Sequence, residues 1–99
     1  MSFNRISIKD AKDLLSKDDL ILIDIRDYNS FMNGHIDNAI HVEDLNIQNF
    51  LKEKNKNDTI IIYCYHGNSS QSVANFFSQH GFKNVFSMND GYEGWLNEN

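Results

Sequence analysis

The chain has 99 residues, 40% hydrophobic, 23% charged and 12% aromatic, ordinary globular usage with enough length for one core and none for a second catalytic domain. A net charge of -5 argues against nucleic acid or an anionic membrane as partner, since both reward clustered Lys and Arg. No apolar run approaches the ~20 residues that span a bilayer and Met1–Asp10 has no apolar signal core, so a cytoplasmic protein of one domain over 1–99 is expected.

In chain order, Ser7 precedes Ile8, Ala11, Leu14 and Leu15, with Asp10 at the position where a capping-box acid stands. This predicts a short amphipathic helix that ends near Lys17. Leu20–Ile25 is a nearly continuous apolar run of strand length, the pattern of a strand buried on both faces. Asp27–Gly34 and Leu45–Lys54 read as short helices with a small strand at Ala39–Val42 between them. The polar stretch Lys52–Asp58 reads as one loop. Thr59–Tyr63 is a second buried strand, and Ser70–His80 a helix with Val73, Phe76 and Phe77 on one face and Gly81 as its C-terminal cap. Asn84–Ser87 reads as a last short strand, and Asp90–Asn97 as a closing helix that turns Tyr92, Trp95 and Leu96 inward. Strands alternating with helices mean an α/β fold with a parallel sheet.

Cys64 is the one cysteine. An internal disulfide and a Cys-rich zinc site are therefore excluded, and the thiol is either inert filler or a reagent. Ligands of parallel sheets sit beyond the carboxyl ends of the strands, and Thr59–Tyr63 runs directly into Cys64-Tyr65-His66-Gly67-Asn68-Ser69-Ser70 before a helix. A loop of this composition can turn successive backbone N–H groups toward one point, and the helix that follows adds its positive end. Such a cradle lowers a thiol pKa and holds the sulfur as the nucleophilic thiolate. The bland reading, a small buried hydrophobe at a strand end, is equally good on spacing alone. The polar, turn-forming residues after Cys64 favour an exposed, reactive position.

Three regions, the loop Cys64–Ser70, the stretch Asp24-Ile25-Arg26 with Phe31, Gly34-His35-Ile36, Ala39 and His41, and Gly91-Tyr92-Glu93-Gly94-Trp95, carry a shared pattern. Together they resemble the rhodanese family, in particular its single-domain bacterial thiosulfate sulfurtransferases of the GlpE type. The resemblance implies a five-stranded parallel sheet flanked by helices on both faces. It also implies that Cys64 takes a sulfane sulfur from thiosulfate as a persulfide, releases sulfite, and passes the sulfur to cyanide or a thiol, without metal or organic cofactor. Tyr65, His66, Gly67, Asn68, Ser69 and Ser70 would bind the substrate, chiefly through backbone N–H groups. Thioredoxin or a sulfur-relay protein would be the acceptor in a persulfide-carrier reading of the same chemistry.

Phosphatases and arsenate reductases of related architecture carry a histidine where Tyr63 stands and an arginine where Ser70 stands. Without that guanidinium fork the loop cannot grip a tetrahedral oxyanion in the same way, and these enzymes rank well below sulfur transfer. His66 is assigned a supporting role at most. The hydroxyls of Ser69 and Ser70 either reach the persulfide or cap the following helix, capping being favoured. Asp24 and Arg26 fit a structural ion pair at a strand end, His35 and His41 fit satisfied polar groups near a loop rather than metal ligands, and His80 suits a helix C-terminus.

Overall fold

A computed structural model describes residues 3–17 and 19–98. Met1, Ser2, Asp18 and Asn99, which the single-domain expectation includes, lie outside the described residues. The strands are β1 (Asn4–Ile6), β2 (Ile21–Asp24), β3 (Ile40–His41), β4 (Thr59–Tyr63) and β5 (Asn84–Met88). The helices are α1 (Ile8–Lys17), α2 (Tyr28–Asn33), α3 (Ile47–Glu53), α4 (Ser69–Gln79) and α5 (Gly91–Asn97), with a 3-10 turn at Val42–Asp44.

The strands form one five-stranded, wholly parallel sheet in the order β1-β5-β4-β2-β3. The run Ile60-Ile61-Ile62-Tyr63 explains why β4 is central, since both faces of the strand must be apolar and all four side chains are fully buried. Ile61 and Tyr63 join Leu22 and Met88 in a core under α1 and α5. Ile60 and Ile62 join Ile23, Val85, Phe50 and Phe77 in a second core under α3 and α4. The helices thus cover both faces, as the resemblance implied.

Local chemistry fixes the ends of the elements. Ser7 Oγ accepts the Asp10 N–H at 3.1 Å and caps α1, and Asp27 caps α2 by accepting the Ser30 N–H at 3.1 Å. Gly81 (φ +94°) ends α4 in the left-handed conformation, its N–H bonded to the Ser78 carbonyl.

The fifth strand that the resemblance implied, and that the residue pattern did not place, is β1, a three-residue edge strand with only Ile6 buried. Three expectations are corrected. Leu96 does not turn inward: it is 60% exposed in the last turn of the seven-residue α5, while Tyr92 and Trp95 pack against the core. Phe76 is exposed as well and packs at a tilt against His80 at the surface, leaving Ala74 and Phe77 to face the sheet. Cys64, expected to be exposed, is 5% exposed.

The chain leaves β2 for β3 in one direction and β4 for β5 in the other, so the carboxyl ends of adjacent strands β2 and β4 mark the switch point of the sheet. Ile25, Arg26 and Asp27 follow β2 there, and Cys64 follows β4.

Candidate functional site

β4 ends in Tyr63, and Cys64 starts a loop that curls under its own side chain. The Gly67 N–H reaches Cys64 Sγ at 3.2 Å and the Ser70 N–H at 3.3 Å, while Ser70 Oγ lies 3.4 Å from the sulfur. Burial works against the thiolate. The Ser70 hydroxyl and the N–H groups of Ser70, Gly67 and His66 outweigh it, so the thiol pKa falls below its ordinary value.

Two glycines permit this curl. Gly67 has φ +93°, and a Cβ there would stand 2.8 Å from the Asp90 amide nitrogen and 3.2 Å from the Met88 carbonyl oxygen. Gly91 has φ +56°, and its Cβ would meet the Cys64 and Tyr65 carbonyl groups at 2.4 Å. That close approach lets the Tyr92 N–H donate to the Cys64 carbonyl at 2.7 Å and the Glu93 N–H to the Tyr65 carbonyl at 3.1 Å. The carbonyl side of the loop is thereby held by α5, which leaves its N–H side facing the sulfur. Gln71 Nε2 holds the Gly67 carbonyl at 2.9 Å.

Above the sulfur is a cavity of about 300 Å³ lined by Ile25, Arg26, Asp27, Cys64, Tyr65, His66, Asn68 and Ser69. A larger cavity, about 510 Å³, lies between α1, α5 and the segment after α2 and includes no residue of the loop. Of the residues singled out in the sequence, Tyr65, His66, Asn68 and Ser69 line the cavity over the sulfur, whereas Gly67 and Ser70 lie beneath it as hydrogen-bond donors. His66 leans outward, its Nδ1 3.3 Å from Glu93 Oε1 at the surface.

Capping does not occupy the Ser70 hydroxyl. Asn68 is the N-cap of α4 and makes no side-chain cap bond, while the fully buried Ser70 Oγ bridges Cys64 Sγ and Ser87 Oγ, the latter at 2.7 Å. Ser69 stays at the cavity wall.

Arg26 and Asp24 form the expected structural pair. Arg26 Nε and Nη2 donate to Asp24, Nη2 at 2.7 Å, and Nη2 also donates to the Gly34 carbonyl at 2.6 Å. Burial opposes the guanidinium charge, but the Asp24 hydrogen bond and charge more than offset it, and its pKa rises. Arg26 is also stacked 4.1 Å from the Tyr92 ring, so its charge is spent inside the fold before any ligand arrives. His41 Nε2–H donates to the Arg26 carbonyl at 2.5 Å and Nδ1 accepts the Glu43 N–H at 3.1 Å, while His35 Nδ1 bonds the Phe31 carbonyl at 2.8 Å. Both histidines are satisfied polar groups, and among the described residues no cluster of three His, Cys, Asp or Glu could hold a metal.

Sequence reasoning missed the roof of the site. The Tyr65 hydroxyl donates to Asp27 Oδ1 at 2.6 Å, and Ser30 Oγ, itself 2.8 Å from Asp27 Oδ1, also contacts the Tyr65 hydroxyl. These bonds, that from Tyr65 first, hold the Asp27 carboxyl down to about 2. Asp27 read only as a helix start, and nothing in the sequence links it to a tyrosine so far along the chain.

A buried thiol with a lowered pKa, amide donors beneath it and a small cavity above it is an arrangement for nucleophilic attack on a soft electrophile. A family model described as the rhodanese-like domain matches residues 7–98. The thiosulfate sulfurtransferase GlpE of Pseudoalteromonas translucida is 43% identical over 95 residues, covering 96% of this chain and 90% of that protein. The protein of the same name from Coxiella burnetii is 39% identical over 96% of this chain and 89% of its own. In fold, the crystal structure of a rhodanese-like domain protein from Staphylococcus aureus superposes with a TM-score of 0.78 at 23% identity, over 94% of this chain and 91% of that one. By sequence along almost its whole length, and by the fold that carries Cys64, this chain belongs to the rhodanese family.

Proposed function

We propose that this protein is a thiosulfate sulfurtransferase that works through a persulfide on Cys64, the whole chain serving as one rhodanese domain. The observation that carries the reading is the convergence of the Gly67 and Ser70 N–H groups and the Ser70 hydroxyl on Cys64 Sγ, in a chain whose relatives bear that activity as their name. The thiolate attacks the outer sulfur of thiosulfate, the S–S bond breaks, and sulfite leaves with the bonding pair. Cyanide carbon, or the thiolate of an acceptor, then attacks the terminal sulfur of Cys64–S–S⁻ and returns the Cys64 thiolate. The N–H groups of the loop hold the negative sulfur in both halves of the cycle. Tyr65, His66, Asn68 and Ser69 form the wall against which the donor rests.

A protein acceptor such as thioredoxin or a sulfur-relay protein is the second reading, and the charge at the cavity supports it. Asp27 is a carboxylate at the rim, Glu93 pairs with His66 beside it, and Arg26 is already committed to Asp24. A dianionic donor therefore meets amide donors but no free guanidinium, whereas an acceptor protein brings a single thiolate charge to the same rim. Neither reading needs a cofactor. No helix of the described residues is long and apolar enough to cross a membrane, and both readings suit the cytoplasm, where thiols stay reduced.

The test is intact mass before and after thiosulfate, then after cyanide. A gain of about one sulfur atom that cyanide removes, absent in Cys64→Ser with unchanged circular dichroism, is expected. An adduct that persists in Cys64→Ser, or none on a reduced and alkylatable Cys64, refutes the persulfide route.

A further inference from the structure

Beneath the nucleophile runs a chain of two hydroxyls. Ser70 Oγ stands between Cys64 Sγ at 3.4 Å and Ser87 Oγ at 2.7 Å, and Ser70 and Ser87 are both fully buried. Ser87 comes from β5, where Val85 and Ser87 face α4 while Phe86 and Met88 face the opposite core. Each hydroxyl has one proton. The Ser87 hydroxyl has Ser70 Oγ as its hydrogen-bond partner. If Ser87 donates there, the Ser70 proton is directed to its other neighbour, the sulfur.

We propose that Ser87 is a positioning residue: without touching the sulfur, it donates to Ser70 Oγ and so fixes and polarises the Ser70 hydroxyl as a donor to Cys64 Sγ. In the thiol form Cys64 Sγ–H itself donates to Ser70 Oγ and gains little from the Ser70 proton, whereas the thiolate accepts that proton and gains a short relay of aligned O–H dipoles. Ser87 therefore lowers the Cys64 pKa from the strand behind the helix. The charged or titratable groups near the sulfur are Arg26 and Asp27 after β2, Tyr65 and His66 in the loop, and Asp90 and Glu93 at the start of α5. The first turn of α4 carries no acidic residue and β5 no titratable one.

This role deepens the sulfur-transfer reading but is measured without it, by the pH dependence of iodoacetamide alkylation of Cys64. Ser87→Ala should raise the midpoint by about half a unit, roughly a three-fold loss of thiolate at pH values well below it, as expected for losing the cooperative part of one bond. In a Ser70→Ala background the same substitution should shift nothing. Ser87→Thr and Ser87→Val, equal in shape, should differ from one another by a similar amount, and this second pair keeps the idea testable if alanine loosens the strand. An unchanged midpoint in Ser87→Ala, an equal shift in the Ser70→Ala background, or coincident Thr and Val profiles would overturn the role. Loss of sulfur transfer with these shifts intact would instead count against the function proposed above.

Discussion

Gly67 and Gly81 make a matched pair for asking what the loop needs. Their φ angles are +93° and +94°, so alanine strains the backbone equally at both, by about 1–2 kcal/mol. The surroundings differ. At Gly81 the nearest atoms to a new Cβ are Lys56 Cδ and Cε at 3.9 Å, the flexible stem of a side chain, whereas at Gly67 they are the Asp90 amide nitrogen at 2.8 Å and the Met88 carbonyl oxygen at 3.2 Å. Backbone at a strand end cannot step aside, so the loop must lift and its Gly67 N–H must leave the sulfur. A hydrogen bond to a charged group contributes ~1.5–3 kcal/mol, which brings Gly67→Ala to about 2.5–5 kcal/mol against 1–2 for Gly81→Ala. For a domain of this size the gap corresponds to roughly 10 °C in Tm. Urea unfolding gives the stabilities, and the pH profile of Cys64 alkylation reads the site, with the midpoint rising by about one unit in Gly67→Ala and staying put in Gly81→Ala. Equal losses of stability, or an unmoved thiol in Gly67→Ala, would show that the loop does not depend on this contact.

Two further outcomes are expected. The Asp27 carboxyl is held down to about 2, so its bonds stabilise the fold fully above the ordinary carboxylate pKa and lose that contribution as pH falls from about 4 through 2. Tyr65→Phe should flatten the fall in unfolding midpoint across that window and raise the Asp27 titration seen by NMR; an unmoved Asp27 would remove Tyr65 as the main cause. Asp24→Asn leaves the Arg26 guanidinium buried beside a neutral partner and should cost about 3–5 kcal/mol in urea unfolding. An unchanged midpoint would mean that the Gly34 carbonyl and the Tyr92 face hold the charge by themselves.

The elements with strong local patterns were legible. β2 and β4 announce themselves as apolar runs, α1 by its cap and α4 by Val73 and Phe77 before Gly81, and a lone cysteine between a buried strand and a helix locates the site. β1 was not legible, because three residues with one buried side chain carry no period, and its strand character comes from pairing with β5, more than eighty positions away. Leu96 and Phe76 misled for the opposite reason: apolar residues near a helical face need not be on it when the helix is short or its end is open to solvent. The loop composition spoke of a cradle, but which N–H groups reach the sulfur depends on Gly91 and α5. The pairing of Ser87 with Ser70 and of Tyr65 with Asp27 exists only after the sheet has brought distant segments together. Such contacts leave no trace in spacing.

The grip of α5 on the Cys64 and Tyr65 carbonyls sets an order of events during synthesis. The cysteine emerges from the ribosome well before Tyr92 and Glu93, and until those amides dock, the loop has no reason to turn its N–H groups toward the sulfur. A nascent chain therefore carries an ordinary, weakly ionised thiol, and the reactive form comes into being only when the last helix closes. Partly made or partly unfolded molecules are in this way poor nucleophiles, which spares them from picking up sulfur they could not hand on.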